Sequence, residues 1–101
     1  MNLSLLRTLL TQEFSYETCS RILAETARLR REDIGGRWYF LLLNKIFVHI
    51  IDHPDLRDFG GPTVMNISHR ALVGVDAIER GDHAALSVAA DRVADAYSDL
   101  S

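Results

Sequence analysis

One cysteine in 101 residues means that no disulfide can close within the chain, and a disulfide scaffold is excluded. Lysine is equally scarce, Lys45 standing against ten arginines, a bias that fits a bacterial genome and carries no functional weight alone. Two prolines and six glycines are too few for a collagen-like repeat or a low-complexity tail. A basic excess is missing too. The 11 Lys and Arg face 14 Asp and Glu, for a net charge of −3, whereas domains that hold nucleic acid by charge are usually strongly basic. A nucleic-acid partner is therefore not expected.

Long apolar runs are also absent. The longest, residues 38–51, spans 14 positions and includes Asn44, Lys45 and His49. A membrane span needs about 20 predominantly apolar residues, so this segment is expected to be a buried helix and no membrane is expected. Residues 1–10 are apolar, but Arg7 interrupts them and no small-residue cleavage site follows. They are expected to form a first helix rather than a secretory signal, in a cytoplasmic protein.

What the sequence does hold is apolar surface. It is 48% hydrophobic and 25% charged with a mean hydropathy of +0.01, more than one small core comfortably hides in a chain with room for one domain. Leu6, Leu9, Leu10 and Phe14 offer one face of a helix over residues 3–13. Ser15 can cap a second helix over residues 16–32, with Cys19, Ile22, Leu23, Thr26 and Leu29 as its apolar stripe. Beside that stripe Glu17, Arg21 and Glu25, then Arg28 and Glu32, alternate in sign four apart, the pattern of a solvated helix surface.

Gly35-Gly36 breaks the chain before a third helix over residues 37–52, which His53-Pro54 ends because the residue before proline leaves the α region. Residues 55–59 can add one further turn, Gly60-Gly61 forms a loop, and Pro62 suits the first position of a helix. Val64, Ile67, Ala71, Val75 and Ile78 recur at spacings of three and four. Gly81 stops that helix and Asp82 caps the next, whose stripe is Leu86, Ala90, Val93, Tyr97 and Leu100. The expected fold is all-α: an antiparallel bundle of four to five helices with a C-terminal αα-hairpin.

Few residues carry chemistry. His49 and His53 stand four apart on one helix face with Asp52 between them, and Asp55 and Asp58 follow. Two histidines and a carboxylate can hold a divalent transition metal, so His49, Asp52 and His53 form the candidate metal set. The competing and favoured reading is that histidines in a last turn bond the free helix carbonyls. Ile50 occupies the place of the catalytic Glu of a zinc-protease helix, so that chemistry is excluded. No nucleophile elbow or phosphate-binding glycine loop is present, and neither an enzyme nor a resident cofactor is expected.

Two stretches carry a faint resemblance to known families. The segment from His69 to Gly74 resembles the phosphoacceptor helix of histidine phosphotransfer domains. Leu72 and Val73 replace the Lys-Gly pair of that family, so His69 is better read as a polar-edge residue. The segment from Ala77 to Ala85 resembles the helical hairpins in ligand-sensing domains of GntR-type bacterial regulators. It covers under a fifth of the chain and is ordinary hairpin grammar. A regulatory domain with a nucleic-acid-related role ranks third among the functional readings.

Charge is divided unevenly, +2 over residues 1–51 and −5 over residues 52–101. Arg28, Arg30, Arg31 and Arg37 gather near the second helix's end, and Asp91, Asp95 and Asp99 stack on the last helix. The aspartates read as a solvated face, with contact to the arginines as the alternative. The main functional expectation comes from Trp38, Tyr39, Phe40, Leu41, Leu42 and Leu43. Six consecutive apolar residues on a helix point in all directions and cannot share one core. They are the candidate interface of a homo-oligomer or of an accessory subunit with a protein partner, and a small-ligand or metal-binding domain is the alternative.

Overall fold

The computed structural model describes residues 2–32, 36–53 and 62–99 and holds five helices: α1 (Ser4–Thr11), α2 (Tyr16–Leu29), α3 (Arg37–Asp52), α4 (Pro62–Arg80) and α5 (His83–Ser98). No strand occurs among the described residues. The all-α bundle expected from periodicity is therefore what forms. The further turn at 55–59, the Gly60-Gly61 loop and Leu100 lie outside the described residues.

The helix ends follow local chemistry. Ser15 Oγ accepts the Thr18 amide at 3.1 Å and starts α2. Gly81 adopts φ 69°, its amide donates to Ile78 O and the Asp82 amide to Ala77 O, closing α4 in a Schellman turn. Asp82 then accepts the Ala85 amide at 3.0 Å, so one helix stops and the next begins without a spacer. Two helices are shorter than periodicity suggests. α1 ends at Thr11 because Gln12 turns extended, at φ −74° and ψ 158°. α2 ends at Leu29, where the amides of Arg31 and Glu32 tighten onto carbonyls three residues back.

α2 packs extensively along α3, and α4 along α5. α1 bridges the two pairs, touching both α2 and α4. The Cα radius of gyration, 12.4 Å, is close to the roughly 13 Å of a compact chain of this length. α3 supplies the centre: Tyr39, Phe40, Leu43, Ile46, Phe47 and Ile50 are all fully buried. Phe47 stacks on Phe14 with centroids 5.6 Å apart. Asn44, a polar interruption of an apolar helix, donates to Leu23 O at 3.1 Å and to Thr26 Oγ1 at 3.0 Å, tying α3 to α2.

Where α3 meets α4, Tyr39 lies against Gly74 and its hydroxyl donates to Ala71 O at 2.9 Å. A Cβ at position 74 would overlap the Tyr39 ring, so Gly74 is the notch that seats it. The glycine of the stretch with a faint phosphotransfer resemblance thus has a packing role. Burial raises the Tyr39 phenol above its usual range and pushes the Cys19 thiol up to about 12. Cys19 is wholly enclosed, with Phe47 O as its weak acceptor at 3.6 Å, and it behaves as a small hydrophobe.

Candidate functional site

α3 divides into two faces. At about 100° per residue, the six buried positions fall on one side, and Trp38, Leu41, Lys45, Val48 and Asp52 share an arc of about 80° on the other. All five are exposed. The apolar members are open by 48% at Trp38, 37% at Leu41 and 39% at Val48. The other large exposed hydrophobics among the described residues, Leu5, Tyr16, Met65, Val73 and Val88, are spread over four helices, none with more than two. Among the described residues only α3 aligns three of them, at spacings of three and seven.

This arrangement corrects the interface set read from the sequence. Tyr39, Phe40 and Leu43 are covered by the chain itself and leave that set. Trp38 and Leu41 remain, and half-buried Leu42 flanks them. Val48 joins. A run of six apolar residues cannot all face one core, but three of them do, because α3 is central enough to be covered by α2, α4 and α5. The spacing 38, 41, 45, 48, 52 was visible in the sequence, masked by the apolar residues around it.

Charged groups flank the stripe. Arg37 is exposed, and its Nε donates to Arg30 O at 2.7 Å, capping the end of α2. Lys45 and Asp52 are exposed and in no ion pair among the described residues.

The candidate metal residues do not assemble. His49 and His53 lie ring on ring, centroids 3.8 Å apart and planes at 26°, and the His49 ring also meets Tyr97 edge-on at 5.3 Å. His53 Nδ1 is 2.8 Å from His49 O, the bond expected of a histidine closing a helix. Asp52 is exposed, and Asp55 and Asp58 lie outside the described residues. Among the described residues no group of three or more His, Cys, Asp or Glu side chains is placed to hold a metal ion.

Charge pairing also departs from the sequence pattern. Glu25 is buried rather than solvated, gripped by Arg28 through two bonds of 2.8 and 2.9 Å, and Arg28 extends to Glu32 at 2.6 Å. The bonds to Glu25 are the main reason that the Arg28 guanidinium binds its proton more tightly than usual. Arg7 of α1 bridges Asp76 and Glu79 of α4. Asp91, Asp95 and Asp99 are exposed and in no ion pair among the described residues, so the arginine cluster does not meet them within the chain.

A cleft of about 390 Å³ opens between the end of α1 and the first half of α4. Phe14, Leu10 and Met65 line its apolar part, with Glu13 and His69 among its polar residues. It brings no activated nucleophile together: the Thr11 hydroxyl is turned to Thr8 O and that of Ser68 to Val64 O. No described helix is long and apolar enough to cross a membrane.

The chain is thus an all-α bundle whose central helix carries a second apolar stripe that is exposed. No family model matches it, and no curated protein or solved structure is significantly similar to it.

Proposed function

We propose that this chain is a protein-association module that acts by burying the outer face of α3, as a homo-oligomer or as an accessory subunit. One observation carries the reading: Trp38, Leu41 and Val48 stand exposed in line on the helix whose opposite face is the core. Aligned apolar side chains cost solvation free energy in the free chain and regain it when another surface covers them. Tryptophan is also among the residues that most often anchor protein interfaces. The role is non-catalytic, since the reading rests on packing rather than on any group able to move a proton or an acyl group.

Trp38 is the chain's one tryptophan, so its emission reports directly on this face. Native mass spectrometry and tryptophan emission, followed from nanomolar to high micromolar protein, test the reading together. Species heavier than the 11.4 kDa chain are expected to appear as the emission shifts to the blue. The heavier species are expected to be lost in Trp38→Asp, and both changes in Leu41→Asp, which keeps the tryptophan reporter. An invariant monomer mass with invariant emission would sink self-association through this face.

A further inference from the structure

We infer that the surface covering α3 is a second copy of this chain, docked antiparallel about a two-fold axis that passes beside Asn44 and Lys45. The inference rests on the association role proposed for this face and adds its occupant and its register. In a two-fold contact, if one residue faces another, the reverse holds on the second copy. Charge then selects the direction. Arg37 begins the exposed side of α3 and Asp52 ends it. Parallel copies would set Arg37 on Arg37 and Asp52 on Asp52. Antiparallel copies set Arg37 against Asp52 at both ends. The Nε bond to Arg30 O holds the Arg37 side chain and leaves its terminal nitrogens without a partner among the described residues.

The same register brings Leu41 opposite Val48 of the second copy, again twice, and lays Trp38 against the turn between Val48 and Asp52. The apolar half of the stripe thereby covers the half that has only one large apolar residue. Lys45 comes to the axis and faces its own copy, which is the unfavourable element. Its long stem can lie along the apolar surface while the ammonium reaches water. Size sets the strength. A contact along α3, about 24 Å long and 10 Å wide, buries a few hundred Å² per copy, below the roughly 800 Å² typical of a stable complex. The dimer is therefore weak and concentration-dependent, formed by chains that are already folded.

Sedimentation velocity on the full chain, with far-UV circular dichroism as a check on folding, tests the register. Arg37→Asp and Asp52→Arg are each expected to weaken dimerisation about five- to tenfold, because every pair occurs twice. The double variant is expected to return it close to the parent value. A cysteine pair provides a second measurement. Positions 41 and 48 lie about 10 Å apart along one helix, too far for a bridge within a chain. Under mild oxidation, Leu41→Cys with Val48→Cys is expected to give covalent dimers, and Leu41→Cys alone none. Buried Cys19 stays outside this reaction. Covalent dimers from Leu41→Cys alone, or a double charge variant as weak as the singles, would overturn the antiparallel register. If Trp38→Asp weakens association and the charge variants do not, the face is right and the register wrong. A parent chain that never dimerises overturns self-docking and, with invariant Trp38 emission, self-association through the face.

Discussion

The α4–α5 hairpin and helix α3 solve the same problem differently. Each hairpin helix shows the core one main stripe: Val64, Ile67, Ala71 and Val75 on α4, and Leu86, Ala90, Val93 and Ala96 on α5. Alanines let the two lie close, and α5 turns Asp91, Asp95 and Asp99 to water. α3 buries a larger stripe and then repeats apolar residues on its far side. A one-sided helix is fully accounted for by the domain that contains it. The second side of α3 is not, since Trp38, Leu41 and Val48 keep much of their apolar surface in water. That surplus is what the proposed association would cover.

The contrast is exposed to four measurements. The largest effect is expected from Phe40→Ala on the buried face, which removes a fully enclosed ring and should cost about 4 kcal/mol. In thermal unfolding that is a fall of roughly 20 °C for a chain of this size. Stability close to that of the parent would mean that α3 is not the centre of the bundle.

Gly74→Ala comes next. The added methyl displaces Tyr39 and its bond to Ala71 O, at an expected cost of about 3 kcal/mol by denaturant unfolding. The double variant with Tyr39→Phe should recover only part of the loss, because the hydroxyl oxygen and the ring carbon that bears it both lie against the notch. Full recovery would show that the hydroxyl alone makes the overlap and that its bond to Ala71 O is dispensable.

Alkaline pH gives the third. The folded-state thiol of Cys19 is raised to about 12 from 9.0, so the folded chain holds that proton more tightly than the unfolded one. Its contribution is complete below pH 9 and is lost as pH rises from 9 through 12, at up to about 1.4 kcal/mol per pH unit. The raised phenol of Tyr39 acts in the same direction. Denaturation curves should weaken above pH 9, and Cys19→Ala should flatten part of that slope. An unchanged slope would mean that the thiol is open to water.

The smallest effect, and the one that bears on function, is Leu41→Ala on the outer face. It should change stability by no more than about 0.5 kcal/mol and still weaken self-association. Val88→Ala, at an exposed hydrophobe of the hairpin, should change neither. Equal effects of the two on association would erase the difference between the helices.

The hairpin was almost wholly legible in advance. Glycine followed by aspartate marks a stop and a start because the left-handed turn and the capping carboxylate are local properties. His53 was legible too, since the reading favoured from the sequence, a last-turn histidine bonding a free helix carbonyl, is the contact that it makes with His49 O. Legibility failed where partners are distant in sequence. Glu25 resembled a surface charge because its four-residue alternation ignores what lies over it. The Gly74 notch left no local sign, since Tyr39 lies in another helix.

A bundle of four to five helices, the Gly81-Asp82 junction and the apolar excess of α3 follow from the sequence alone, because periodicity and capping act within a few residues. Which side of α3 the excess occupies was decided by tertiary packing. Packing within the bundle buried Tyr39, Phe40 and Leu43, and left Trp38, Leu41 and Val48 exposed. A side chain's neighbours across the fold, rather than along the chain, determine whether it is core or contact surface.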